Sequence, residues 1–260
     1  IGRNEAAARE KYGGHIPIGE HPNIRSREAC LKSSQLAVDL AHKHGTRLHV
    51  LHLTTADELK HFAPGPVKSK QITVEACVHH LYFSAEDYAE KGSLIKCNPA
   101  IKLASDRAAL QKAIADDVID VIATDHAPHT WDEKHAGDYF KEPAGLPLVQ
   151  HAVPMVLEMV HDGIFDMAHA VKKICHAPAE LFGVQERGFL REGYFADLIL
   201  IEDQPLTVQR QDVLYKCGWS PLEGRTLRSR ISHTFVNGHL AFHDGQVLGT
   251  PQGQRLSFRR

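Results

Sequence analysis

The sequence predicts an α/β protein in which parallel strands alternate with helices, followed by a small β part. Apolar strand-like runs at residues 47–53, 72–77 and 118–124 are separated by segments with helical spacing. Such alternation marks parallel strands joined by helical crossovers. Beyond about residue 187 the texture changes to short β-like runs, punctuated by Asn237-Gly238 and Asp244-Gly245, dipeptides that favour tight hairpins. A boundary there divides the chain into 1–187 and 188–260.

Each element has a local reason. Over 26–44, Ala29, Leu36, Ala37 and Leu40 recur at helical spacing, Ser26 can cap the start and Gly45 can stop the end. After the strand at 47–53 comes a helix over 54–62 opened by Thr54 or Thr55. The strand at 72–77 is followed by a short helix at 84–90, a capped helix at 105–116 and the strand at 118–124. A long charged segment, 130–144, then precedes a helix at 146–161 that Pro154 is expected to kink, and another at 167–177. A loop that long beside a strand end is generally functional. Strands at 198–201, 231–236 and 240–242 complete the reading. Three parallel strands are too few for a closed eight-stranded barrel, which takes roughly 250 residues.

Composition narrows the function classes. Thirty Lys and Arg against 32 Asp and Glu give a net charge of −2, with the signs interspersed, so no nucleic-acid or polybasic membrane surface is expected. No apolar run is long enough to span a bilayer. The five cysteines are odd in number, scattered and never paired as C-x-x-C, which fits a reducing cytoplasm rather than a disulfide framework. Histidine is unusually frequent at 19 copies. Most need no special role; His42 and His44, for example, sit where an imidazolium favours a helix end.

Two places carry chemistry. The strand at 47–53 holds His49 and His52, three apart, so alternation sends them to opposite faces. Catalytic groups of parallel α/β barrels lie at C-terminal strand ends, which selects His52. It reads either as a hydrogen-bonded core histidine or as a metal ligand. The run Thr124-Asp125-His126-Ala127-Pro128-His129 ends an apolar strand in an acid flanked by histidines. A carboxylate there is costly unless a cation or proton transfer explains it, although Asp125 could also cap the following turn.

Asp125 to His129, followed by Asp132-Glu133-Lys134, resembles the last-strand motif of dihydroorotases in the amidohydrolase superfamily. His21-Pro22-Asn23-Ile24-Arg25, Leu48 to Thr55, Glu75 to Leu81, Lys96-Cys97-Asn98-Pro99-Ala100 and Gly188 to Ile201 are similar to blocks of the same family, in the same order. The resemblance implies the C-terminal part of a (β/α)8 TIM-type amidohydrolase barrel, strands six to eight, followed by a small β-sandwich-like domain. It implies zinc, two ions in the complete enzyme, with His52 and Asp125 as ligands and Asp125 as the proton-transfer group. Asn98, His129, Ala144 and Gly145 are then expected to hold the substrate, dihydroorotate or carbamoyl-aspartate, and a homodimer is expected. The His79-His80 pair is read as structural, because neighbours on an extended chain diverge.

The family's other site residues, a His-x-His pair with a substrate-binding arginine close by, a bridging carboxylate (aspartate or carboxylated lysine) and a further histidine, are expected upstream of Ile1, so this stretch alone is expected to be inactive. Competing readings are a dihydropyrimidinase, hydantoinase or allantoinase, a non-catalytic scaffold of the same fold, and a generic α/β binding module, which leaves Asp125 unexplained.

Overall fold

The computed structural model describes residues 1–259. The chain forms two compact units: Ile1–Ala152 with Val213–Glu223, and Val153–Asp212 with residues 224–259. The units divide at 152/153, whereas the change of sequence texture lies near 187. Compactness follows packing, and it groups the helices of 153–182 with the β strands that follow them.

The first unit opens with α1 (Gly2–Tyr12) and the short α2 (His21–Ile24), whose Ala8 and Ile24 are buried in one cluster with Ile16 and Tyr139. Next comes α3 (Arg27–His44): the Ser26 hydroxyl accepts the Ala29 amide at 3.3 Å, and Gly45, at φ 64°, adopts the left-handed stop. Val38 and Ala41 are the apolar side chains it buries, while Leu36 and Leu40 of the helical repeat are exposed.

Three parallel strands follow in the order β1 (Leu48–Val50), β2 (Ile72–Cys77), β3 (Val121–Ala123). The register pairs His49 with Thr73 and Cys77 with Ala123. Parallel neighbours require long crossovers. One is a 3-10 segment (Ala56–His61) whose Glu58 carboxylate accepts from the Thr55 amide and hydroxyl. The other runs through α4 (Val78–Tyr82), α5 (Tyr88–Lys91) and α6 (Ala104–Ala115). The short α7 (Trp131–Lys134) lies past β3, opened by a Thr130–Glu133 capping box.

The second unit contains α8 (Ala152–His161), α9 (Met167–Val171), a π turn (Lys172–His176) and α10 (Ala177–Phe182). Pro154 falls in the first turn of α8, where its missing N–H is no loss, so the expected kink and the longer helix from 146 do not form. Beyond these helices, β4 (Leu198–Glu202), β7 (Arg230–Val236), β8 (His239–His243) and β9 (Gln246–Val247) make an antiparallel sheet. The strands β5 (Leu206–Thr207) and β6 (Thr226–Leu227) form a separate ladder. Asn237-Gly238 (φ 50° and 82°) and Asp244-Gly245 (φ 42° and 85°) turn the hairpins as the sequence predicts.

Asp120 fixes the start of β3. Its side chain, 2% exposed, pairs with Lys70 at 2.6 Å and accepts the Val74 amide at 2.9 Å. Asp120→Ala leaves a buried amide and a buried cation short of a partner, so stability should fall by about 3 kcal/mol. Urea denaturation checks this; a loss under about 0.5 kcal/mol, the range of neutral surface changes, would show that the ion pair holds nothing together.

Candidate functional site

The site is assembled at the C-terminal ends of the three parallel strands. Strand β1 ends at Val50, and His52 lies two residues beyond it with φ 40°. Strand β3 ends at Ala123, and Asp125 lies two residues beyond it with φ 46°. Left-handed backbone is uncommon for residues other than glycine and clusters at functional sites. The two residues chosen from sequence thus share one unusual conformation at equivalent places on the outer strands.

Alternation along the strand does not separate His49 from His52, because the ladder covers only Leu48–Val50. Bonding does. His49 is committed through Nδ1 to the Thr73 hydroxyl (2.9 Å) and through Nε2 to the Glu75 carboxylate (3.0 Å), so it braces β1 against β2. The second Glu75 oxygen accepts the His52 amide at 3.4 Å, which helps to hold the bend.

Between them, the end of β2 carries Cys77, His79 and His80, all buried, with one donor atom of each within 4.8 Å of the others. The divergence expected of adjacent histidines fails because the chain has left the extended conformation: Val78 already begins α4. His80 is partly structural, its Nε2 bonding the Pro99 carbonyl at 3.0 Å, but its Nδ1 and both nitrogens of His79 lack hydrogen-bond partners. Burial lowers His79 to about 3, helped by the neighbouring His52 imidazole, and pushes His80 well below its ordinary value. Burial raises the Cys77 thiol well above its ordinary value and Cys97 to about 12, with the Asp125 carboxylate contributing to both. His52 and Asp125 therefore both lie within electrostatic reach of this cluster. Neutral imidazoles, a carboxylate and orphaned buried nitrogens fit a borderline divalent cation such as zinc.

The residues expected to hold a substrate are drawn together beside it. Asn98, joined to Pro99 by a cis peptide, shares one pocket of about 300 Å³ with His52 and a second of about 230 Å³ with Ala144. Gly145 is locked against the strand end. At φ 150° its α-carbon is so close that a Cβ would stand 2.4 Å from the Ala127 carbonyl and 3.0 Å from the His129 ring. His129 is fixed from behind, its carbonyl accepting the Trp219 indole N–H at 2.7 Å. His126 is structural: its Nδ1 accepts the Leu148 and Val149 amides at 2.9 and 3.3 Å.

Residues outside the expected set hold these in place. Lys96 donates to the carbonyls of Tyr139 and Glu142, and Lys134 to those of Lys96, Pro143 and Gly145. His21, buried, spans the Tyr139 hydroxyl (2.8 Å) and the Cys97 carbonyl (2.7 Å). Lys134 and His21 both stand within motifs visible in the sequence, but their partners are mostly backbone atoms, which leave no sequence signal.

Burial lowers His21 and His79 to about 3 and His151 to about 4. In the unfolded chain these imidazoles take up protons near pH 6.5, whereas in the fold they stay neutral. Stability is therefore complete above pH 6.5 and falls as the pH drops towards 4. Urea midpoints at pH 7, 5.5 and 4.5 should decrease, with a shallower slope in His21→Gln; a midpoint independent of pH would refute the buried-neutral assignment.

With this geometry in place, comparison with known proteins is informative. A model of the Amidohydrolase family matches residues 23–241. A dihydroorotase from Pyrococcus furiosus is 31% identical over 248 residues, 95% of this chain and 55% of that protein. Another from Halobacterium salinarum is 34% identical over 233 residues, 89% of this chain and 53% of that protein. An allantoinase from Bacillus velezensis is 29% identical over 232 residues, 89% of this chain and 51% of that protein. The solved L-hydantoinase (dihydropyrimidinase) from Arthrobacter aurescens superposes with a TM-score of 0.86 at 24% identity, over 95% of this chain and 56% of that one. The chain spans about half the length of the curated relatives it matches. On the match across most of its residues, the chain belongs to the amidohydrolase family.

Proposed function

We propose that this chain is the C-terminal portion of a zinc-dependent dihydroorotase, which interconverts dihydroorotate and carbamoyl-aspartate in pyrimidine biosynthesis in the cytoplasm. In this reading, residues 1–187 carry strands six to eight of the (β/α)8 barrel with their helices, and 188–260 form the small β domain. The carrying observation is the matched pair of strand-end residues: His52 and Asp125 hold left-handed backbone beyond β1 and β3, on either side of the β2 donor cluster. The partner is a small molecule; the interspersed charge gives no nucleic-acid surface, and no helix among the described residues is long and apolar enough to cross a membrane. A homodimer is proposed from the resemblance alone, and light scattering on the complete enzyme tests it.

His52 would hold one zinc and Asp125 the other, with the remaining ligands supplied by the rest of the enzyme. When bound, zinc supplies Lewis acidity, which lowers the pKa of water to about 7 and polarises the amide carbonyl. The chain's own residues do the rest. Asp125 accepts the proton of the attacking water and returns it to the departing ring nitrogen, as a general base and then a general acid. Asn98, His129 and the backbone of Ala144 and Gly145 hold the ring so that its amide faces Asp125.

A second reading, an allantoinase or hydantoinase, is favoured by the similar allantoinase and the superposable hydantoinase. Turnover by the complete enzyme on dihydroorotate, dihydrouracil and allantoin decides between them; dihydroorotate should be preferred, and preference for either other ring would overturn the proposal.

Site roles are tested in the same enzyme. His52→Ala should lose zinc and activity while His49→Ala keeps near-normal metal content, and equal metal loss in both would reject the distinction drawn from their bonding. Asp125→Asn should lower kcat by roughly 10²- to 10⁴-fold, typical of a general acid-base group. Asn98→Ala and His129→Ala should instead raise KM. Near wild-type turnover by Asp125→Asn with zinc still bound would assign the proton to another group.

A further inference from the structure

We propose that Cys77, His79 and His80 form a metal site of their own, complete within this chain, which takes a thiophilic divalent cation such as zinc or cadmium in addition to the ions proposed for His52 and Asp125. The three residues span the point where the chain passes from β2 into α4. Cys77 ends the strand in extended backbone and stands at the N-cap of the helix, of which His80 is the third residue. Side chains at those two places face one another across the first turn, as they do in a capping box. One donor atom of each of the three residues lies within 4.8 Å of the others. Ligand atoms around a tetrahedral zinc stand roughly 3.5 Å apart, so small side-chain rotations close these donors on an ion.

The polar atoms of the cluster are short of partners. His79 and His80 are 1% and 3% exposed, and neither nitrogen of His79 has a hydrogen bond. The Thr124 carbonyl acts on His79 without meeting hydrogen-bond geometry. His80 donates its Nε2 proton to the Pro99 carbonyl at 3.0 Å, which leaves the lone pair on Nδ1, a buried atom with no partner. An imidazole prepared for a metal has this arrangement, one nitrogen oriented by a carbonyl and the other free to coordinate. Histidines that brace the fold are bonded differently. His21 spends both nitrogens on the Tyr139 hydroxyl and the Cys97 carbonyl, and His49 spends both on Thr73 and Glu75. A purely structural pair would be bonded in the same way, since a buried polar atom without a partner is costly. Cys77, a free cysteine with no exposed surface, supplies the sulfur. A thiolate and two neutral imidazoles leave a divalent ion with net positive charge, and the carboxylates of Glu75 and Asp125 reach this position electrostatically. Sulfur beside imidazole selects zinc or cadmium over magnesium and calcium, which take oxygen. Binding breaks the S–H bond, forms a sulfur–metal bond and passes the proton to solvent.

The test titrates cadmium into the complete, zinc-loaded enzyme and its Cys77→Ser and His79→Gln variants, with melting temperatures confirming that each folds. Wild type should bind an extra cadmium ion beyond those that Cys77→Ser binds, with the ultraviolet absorption of a cadmium–thiolate bond. Calorimetry in buffers of different ionisation enthalpy should show release of about one proton with that ion. His79→Gln should weaken it by roughly 10-fold or more, because even a residue that only orients a ligand is worth about 10- to 100-fold in metal affinity. Occupancy should raise the melting temperature of wild type and leave that of Cys77→Ser unchanged. Absence of thiolate absorption in wild type at saturating cadmium overturns the proposal without reference to any variant. Absorption of equal strength in Cys77→Ser places the ion on another thiol and overturns it as well, and so does an affinity of His79→Gln equal to that of wild type. None of these readouts depends on which ring the enzyme hydrolyses.

Discussion

The ammonium of Lys134 donates to the carbonyls of Lys96, Pro143 and Gly145 at 3.3, 2.9 and 3.1 Å, and its side chain is fully buried. Those three carbonyls belong to two segments, the approach to Asn98 and the end of the long loop after α7. A second clasp reinforces it, since Lys96, whose carbonyl Lys134 holds, turns its own ammonium on Tyr139 and Glu142 of the same loop. Burial brings both lysines down to about 8, so at neutral pH each is still largely charged and its hydrogen bonds are the strong, charge-assisted kind. Desolvating two ammonium groups is costly, and a loop with freedom to relax would let water in. The loop is instead drawn tight, and Asn98 and Ala144 come to line the same pocket.

From that clasp the position of Gly145 follows. Its amide returns to the Lys96 carbonyl at 2.8 Å, and the next residue pairs with the strand end through Ala127 N–H to Leu146 C=O at 3.0 Å. The backbone approaches so closely that no side chain fits, with the Ala127 carbonyl 2.4 Å from where a Cβ would be. The chain past β3 therefore has a rigid floor, and Asp125 can hold a strained backbone because what surrounds it is over-determined. The opposite side has its own brace. Glu75 ties His49 and the His52 amide together, so the bend beyond β1 is held by a side chain of the central strand.

The parts of this arrangement that the sequence displays are those made by side-chain pattern. The run 72–77 is a strand residue for residue, with all but Ile72 buried as the central strand between β1 and β3, and Ser26 and Gly45 bracket α3 as capping chemistry requires. Outer strands are less legible. The apolar run at 47–53 continues past the ladder, since Leu51 and His52 leave the sheet while keeping strand-like composition. The segment 54–62 shows its start through Thr55 and Glu58 but folds as a 3-10 turn, a distinction that spacing over so few residues does not make. The lysine clasp was illegible: its acceptors are backbone carbonyls, the same for every residue type, and one lies 38 positions away. His52 and Asp125 are singled out by their places just past strand ends, which the end of each strand-like run marks.

The same burial that shapes the loop sorts the donors at the end of β2. A metal ligand must be free of its proton. His79 and His80 meet that condition at neutral pH, because desolvation opposes the imidazolium, and His52 beside His79 and Lys102 near His80 add to the effect. Cys77 and Cys97 are driven the other way: desolvation opposes the thiolate, and Glu75 and Asp125 strengthen that opposition at Cys77. At neutral pH the cluster therefore presents nitrogen donors ready for a cation and sulfur donors that must first lose a proton. Imidazole and carboxylate donors of this kind would suit a divalent cation such as zinc, which takes nitrogen and oxygen ligands.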